Sequence, residues 1–235
     1  MILAAVAMLV GRASAAVRDT ISLNAGWQFH LGELSGIEAV KNAKSERVNL
    51  PHDFLIGQPW VEPDASERPD NSDAGSNVRS RLSPRGFKEM NVGWYRYVLT
   101  PKAEWKGRRV VLDFQGIMLV GDVWLNGKHI GKTDYGYLGF DTDISSILKY
   151  DGDNEIIVKA NTQQPNNSRW YTGGGLYRDV NLIVTDKKLY FPRHPLFIRT
   201  ENNKKVKIQA EIACFNKVDN ISGTTGSFLV VRPWT

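Results

Sequence analysis

Between Asn166 and Val180 the chain reads N-N-S-R-W-Y-T-G-G-G-L-Y-R-D-V, a stretch that joins hydrogen-bonding side chains, flat aromatic faces and three consecutive glycines. Asn166, Asn167, Ser168 and Arg169 supply donors and acceptors, and Trp170 and Tyr171 supply the flat faces. A sugar ring, with apolar C–H faces and a hydroxyl edge, is a ligand that such a combination can hold. Three glycines in a row suit neither a strand nor a helix interior, because each loses much backbone entropy on ordering. They predict a loop that turns tightly or lies close to another part of the chain. The same residues also suit a purely structural loop whose aromatics close the end of a sheet, and the stretch alone does not separate the two.

Other chemistries find less support. His30, His52, His129 and His194 lie far apart, and no histidine or cysteine cluster has metal-ligand spacing, so no metal and no cofactor is assigned. The single cysteine, Cys214, has no partner for an internal disulfide and sits among Ile212, Ala213 and Phe215, which predicts a buried, inert thiol. The net charge of +5 comes from scattered residues. There is no basic stripe or zinc-finger spacing, which argues against nucleic acid as a partner.

The elements that must position the glycine-rich stretch are strands. Hydrophobic and charged contents of 42% and 23% are ordinary for a globular protein. Seven tryptophans beside eight tyrosines and nine phenylalanines favour a β-rich or ligand-stacking protein. Asn24-Ala25-Gly26-Trp27 is a turn between short apolar pieces, and Val48–Phe54 reads as a strand ending at Pro51. Trp94–Leu99, Arg108–Phe114, Asp122–Leu125, Lys128–Lys132, Phe140–Asp143, Glu155–Ala160 and Leu176–Val184 follow as strands. Asn126-Gly127 is a strong hairpin signal, and Ile144–Tyr150 predicts a single helical turn. Many short strands with turns between them predict a jelly-roll-like β-sandwich. Val61–Lys88 is polar and turn-rich, a length without regular structure that is uncommon inside a compact domain.

The fold class expected is therefore all-β, in three parts. Residues 1–16 read as a signal peptide, because the apolar run Ile2–Val10 is too short to span a bilayer and Ala13-Ser14-Ala15 offers a cleavage pattern, although no Lys or Arg precedes the run. This predicts an exported protein of a bacterial periplasm or cell surface, with no membrane span. Residues 17–185 form the jelly roll. Residues 186–235 supply strands at Phe197–Thr200, Val206–Phe215 and Ser227–Val231, about half of what an Ig-like sandwich of about 100 residues requires. The expectation is a chain truncated within that second domain, or one with a broken reading frame.

Six motifs in order carry a family resemblance: L-N-A-G-W-Q-F at Leu23–Phe29, V-N-L-P-H-D-F at Val48–Phe54, G-W-Y-R-Y at Gly93–Tyr97, V-W-L-N-G-K-H-I-G at Val123–Gly131, Y-G-Y-L-G-F-D-T-D-I at Tyr135–Ile144 and S-R-W-Y-T-G-G-G-L-Y-R-D-V at Ser168–Val180. The series resembles the N-terminal sugar-binding domain of family 2 glycoside hydrolases, the β-galactosidase and β-glucuronidase group, over about residues 20–185. The resemblance implies a jelly roll followed by an Ig-like sandwich and a (β/α)8 barrel that bears two catalytic glutamates. It therefore implies a β-glycoside as substrate and the barrel as packing partner, with no catalytic residue in this chain. Asp53, Asp122, Asp141 and Asp179 are expected to serve turns and strand ends. Loops of the first domain shape the sugar subsite in that family. This implicates Asn166, Asn167, Ser168, Arg169 and Trp170, with Asn91 as a further candidate, and leaves Arg178 and Asp179 as a structural pair. A stand-alone carbohydrate-binding module without catalytic activity is the alternative reading.

Overall fold

A computed structural model describes residues 18–60, 88–163, 171–201, 205–214 and 227–232. The expectations for the signal segment, for most of the polar Val61–Lys88 stretch, for Asn166–Trp170 and for the Cys214 thiol fall outside the described residues or side chains. The chain divides between Val184 and Thr185 into two compact units.

The larger unit is two β-sheets. Its strands are β1 (Asp19–Ser22), β2 (Trp27–Leu31), β3 (Glu46–Val48), β4 (Val92–Leu99), β5 (Arg109–Phe114), β6 (Val120–Leu125), β7 (Lys128–Thr133), β8 (Phe140–Asp143), β9 (Asn154–Asn161) and β10 (Val180–Thr185). One sheet has the order β3-β2-β4-β9-β6-β7, with every neighbouring pair antiparallel. The other has the order β1-β10-β5-β8. Alternation along β6 buries Val123 and Leu125 and leaves Asp122 and Trp124 on the outer face, as the period of two requires. Trp27, Tyr95, Leu112, Phe114, Val123, Leu125, Ile156, Val158, Leu182 and Val184 fill the space between the sheets. Trp27 meets Tyr95 edge-on at 6.3 Å and donates from its indole Nε1 to the Leu23 carbonyl, so the largest core side chain keeps its polar atom satisfied.

Three expectations are refined. Val48–Phe54 is not one strand: pairing stops at Val48, and the Asn49 side chain turns back to accept from the Gly26 N–H. Beyond Pro51, the His52 and Phe54 N–H groups donate to the Leu176 and Gly174 carbonyls instead of to a sheet neighbour. Leu176–Val184 likewise enters the sheet only at Val180, because its first residues are engaged by His52 and Tyr95. The six-stranded sheet also carries an apolar cluster outside the main core. A 3-10 helix at Ile37–Asn42 covers Val92, Trp94 and Ile157 with Val40, making a second, smaller apolar cluster. Arg178 and Asp179 each bind separate groups: Arg178 Nη1 donates to the Gln115 and Tyr137 carbonyls, and Asp179 accepts from Asn24 Nδ2.

The Asn126-Gly127 hairpin forms as expected, with both residues at positive φ (52° and 82°). Asn126 does more than turn the chain. Its Oδ1 accepts from the Glu155 N–H, and its Nδ2 donates to Oδ1 of the fully buried Asn154. Ile144 opens the single turn, its carbonyl accepting from the Ile147 and Leu148 N–H groups.

The smaller unit is one sheet of β11 (Leu189–Tyr190), β12 (Leu196–Glu201), β13 (Lys205–Cys214) and β14 (Ser227–Arg232). β11 and β12 flank β13 antiparallel, and β14 pairs with β13 in parallel.

Asn126→Ala removes the side-chain links to Asn154 and Glu155 and places alanine at positive φ. It is expected to lower stability by about 2–3 kcal/mol, read as a reduced urea midpoint with an unchanged slope.

Candidate functional site

The register of the six-stranded sheet brings distant segments to one end of it. Val92 at the start of β4 and Val120 at the start of β6 both pair with Asn161 at the end of β9, and Gly121 pairs with Thr133 at the end of β7. Asn91, Thr162 and Gln163 therefore lie at this end. Asn91 and Thr162 are bound twice over. The Asn91 N–H donates to Thr162 Oγ1, and the Asn91 carbonyl accepts from both the Thr162 N–H and its hydroxyl. Asn91 Oδ1 accepts from the Val92 N–H, so this side-chain oxygen caps the strand start.

Residues 164–170 span the gap between Gln163 and Tyr171, and both flanks of that gap are fixed. The fixing group on the far side is Asp53. Its Oδ2 accepts from the Tyr171 hydroxyl at 2.6 Å, and its Oδ1 accepts from the Gly174 N–H at 2.8 Å and from the Leu55 N–H at 3.0 Å. Charge-assisted bonds of this kind are about twice as strong as neutral ones. Burial, followed by the bond to Asp53, pushes the Tyr171 phenol above its ordinary range and keeps it a donor. Gly174 lies against Leu55 and Thr162, which joins the far flank to the near one.

The glycines are required by this packing. Gly173 has φ +79°, and a Cβ there would stand 2.7 Å from Asp53 Oδ2. Gly175 has φ +103°, and a Cβ there would overlap the Tyr95 hydroxyl and lie 3.0 Å from the His52 carbonyl oxygen. Its backbone also forms a two-way bridge with Met118, N–H to carbonyl in both directions.

Behind the loop stands a polar pair within an aromatic cluster. His52 Nδ1 lies 2.9 Å from the Tyr95 hydroxyl, which also accepts from the Leu176 N–H at 3.4 Å. With the imidazole neutral, the hydroxyl is assigned as donor to Nδ1. Phe29 packs on His52, Phe54 and Tyr95 at ring separations of 4.6, 5.7 and 4.9 Å. Burial pushes the Tyr95 phenol well up and the His52 imidazole below the usual histidine range, while Glu46 and Asp53 act in the opposite sense on His52.

The described residues on either side of 61–87 are joined to each other. Trp60 and Lys88 form an isolated bridge, and Lys88 Nζ donates to the Gln58 and Ile56 carbonyls and lies 4.2 Å from the Trp60 ring centre. Of the site residues expected from sequence, Asn91 is thus seen at the rim, while Asn166, Asn167, Ser168, Arg169 and Trp170 lie outside the described residues. Sequence reasoning missed the clamp of Asp53, Tyr171, His52 and Tyr95 as a unit. Asp53 and Tyr171 are 118 positions apart, and only the co-occurrence of P-H-D-F with a triple glycine could have signalled them. The acidic side chains here hold structure: Asp53 clamps the loop, Asp122 accepts from His129 Nε2 and Asp179 from Asn24. Among the described residues no cluster of three or more His, Cys, Asp or Glu could hold a metal ion, and no helix is long and apolar enough to cross a membrane.

Residues 87–181 match the family described as glycosyl hydrolase 2 galactose-binding domain-like. A β-galactosidase of Bacteroides ovatus is 32% identical over 172 residues, covering 72% of this chain and 18% of that protein. A β-glucuronidase of Bacteroides fragilis is 30% identical over 183 residues, covering 75% of this chain and 22% of that protein. A crystal structure of a β-glycosidase from Bacteroides vulgatus superposes with a TM-score of 0.68 at 30% identity, over 85% of this chain and 25% of its own. The chain thus spans roughly a fifth of the length of such curated relatives, 18% and 22% in these two cases.

Asp53→Ala is expected to cost about 3 kcal/mol and to open the 164–175 segment to limited proteolysis while the far-ultraviolet spectrum stays β-rich. A second outcome concerns pH. A histidine whose folded pKa lies below its unfolded value binds fewer protons in the folded state, so stability is full above about 6.5 and falls as pH drops through that value toward the folded pKa. Urea midpoints between pH 7.5 and 5 should decline more in the wild type than in His52→Gln.

Proposed function

The chain carries the galactose-binding-like domain of the family 2 glycosyl hydrolases, and from that premise we propose that it forms the sugar-facing wall of a β-glycoside hydrolase of the β-galactosidase and β-glucuronidase group. The observation that carries this reading is the clamped loop. Asp53, Gly174 and Thr162 fix the described residues on both sides of 164–170 at one sheet end. Rigid support of this kind is what a positioning site requires. In the proposal Asn166, Asn167, Ser168 and Arg169 bind sugar hydroxyls, Trp170 stacks on a sugar face, and Asn91 holds the Thr162 flank in place.

Bond cleavage in a retaining glycosidase calls for two carboxyls about 5–5.5 Å apart across the glycosidic bond. We assign no such pair to this chain; Asp53, Asp122 and Asp179 of its motifs are engaged in holding loops and strand ends. The catalytic carboxyls are proposed to belong to a barrel that packs against this wall. Whether the sugar is a galactoside or a glucuronide then depends on groups contributed from both sides.

The purified chain is expected to bind 4-nitrophenyl β-galactoside or β-glucuronide weakly and to release no nitrophenol. Arg169→Ala and Trp170→Ala should each weaken binding tenfold or more, measured by titration calorimetry or ligand-detected NMR. Nitrophenol release by the purified chain, or binding unaltered in both variants, would sink the proposal.

A further inference from the structure

The loop between β7 and β8 exposes three large apolar side chains that the reading above does not use. Tyr135, Tyr137 and Leu138 are 56%, 40% and 64% exposed. Buried area does not account for them, yet the backbone that carries them is held from several sides. The Leu138 N–H donates to the Tyr135 carbonyl, and the same carbonyl accepts from the Thr133 hydroxyl. The Tyr177 hydroxyl donates to the Gly136 carbonyl at 2.8 Å, and Arg178 Nη1 donates to the Tyr137 carbonyl at 3.3 Å. Gly136 lies directly on the Met118 side chain. A loop fixed in this way presents its side chains with little ordering entropy left to lose on binding.

We propose that Tyr135, Tyr137 and Leu138 form a carbohydrate-binding platform that holds one or two rings of a β-linked glycan. The proposal rests on the function proposed above. The two rings stand 5.6 Å apart and 57° from coplanar, so they offer two separate faces and not one closed pair. A pyranose C–H face stacks on one such ring, and the phenol hydroxyls reach its edge. Polar groups surround the patch: the Lys132–Asp134 ion pair at 2.9 Å on one side and the exposed Arg178 on the other. Three side chains fall far short of the roughly 20 residues per partner of a stable protein interface. The patch is of the size of one or two sugar rings.

Position supports the same occupant. β7 ends at the sheet end where Asn91 and Thr162 lie. Met118 links the two loops, since its backbone bridges Gly175 and its side chain carries Gly136. A glycan on the tyrosines therefore lies beside the loop that carries Gly175.

The test is affinity electrophoresis of the full chain in native gels cast with soluble β-1,4-galactan or glucuronoxylan. Wild type should be retarded by at least one polysaccharide. Y135A/Y137A should lose fivefold or more in apparent affinity, Leu138→Ser should lose part of it, and Y135F/Y137F should stay within twofold of wild type, all with unchanged circular dichroism. No retardation by either polysaccharide, or equal retardation of the alanine variant, overturns the proposal. So does concentration-dependent dimerisation of wild type that the alanine variant abolishes, because the patch would then contact a second copy. If Y135A/Y137A fails to fold, Leu138→Ser decides the matter. Nitrophenyl glycoside binding that is lost in Trp170→Ala and kept in Y135A/Y137A would support the clamped-loop site whatever the gels show.

Discussion

A single carboxylate ties the functional end of this protein together. Asp53 stands at the end of a segment that leaves the sheet at Val48, and its two oxygens accept from Tyr171, Gly174 and Leu55. Without it, Tyr171 and the Gly174 N–H would lose the side-chain anchor that ties them to the segment after Pro51. With it, the described residues on either side of the proposed sugar-binding segment are held at fixed points. The cost of that arrangement is conformational, and the triple glycine meets it: side chains at Gly173 and Gly175 would occupy the space of Asp53 and Tyr95.

The clamp works because the core behind it is stiff. Tyr95 belongs both to the inter-sheet core, where it meets Trp27, and to the polar pair with His52 beneath the glycine loop. A phenol is suited to that double duty, having an apolar body and one hydrogen-bonding tip. Phe29 and Phe54 pack around the pair, so the histidine is held partly out of water and its neutral form is favoured. The scaffold is thus continuous by direct contact from the tryptophan core to the rim among the described residues. The proposed sugar-facing wall calls for such support, because small displacements of orienting groups are costly in rate.

Much of the fold was legible in the chain itself. Alternation at Val120–Leu125 and Asn154–Asn161, and the Asn126-Gly127 turn, correspond directly to strands and a hairpin, because side-chain period and turn chemistry are local properties. The strands assigned at Val48–Phe54 and Leu176–Val184 were too long for the opposite reason. Both segments have strand-like composition, but their backbone groups bond to each other across the sheet end, a choice that depends on contacts far away in sequence. The apolar cluster under the Ile37–Asn42 helix was likewise hidden, since Trp94 reads as an outward residue until its cover is in place.

The sequence alone determined the β class, the hairpin and the ordered motifs that mark a glycoside hydrolase sugar-binding domain, because these rest on residue type and short spacing. Only the tertiary structure decided that Asp53 grips Tyr171 and Gly174, that Asn91 is bound to Thr162, and that the glycine loop and the tyrosine loop meet at Met118. Those contacts join positions up to 121 residues apart. Their partners are selected by which strand ends the register places side by side, and register is settled by the packing of the whole sandwich.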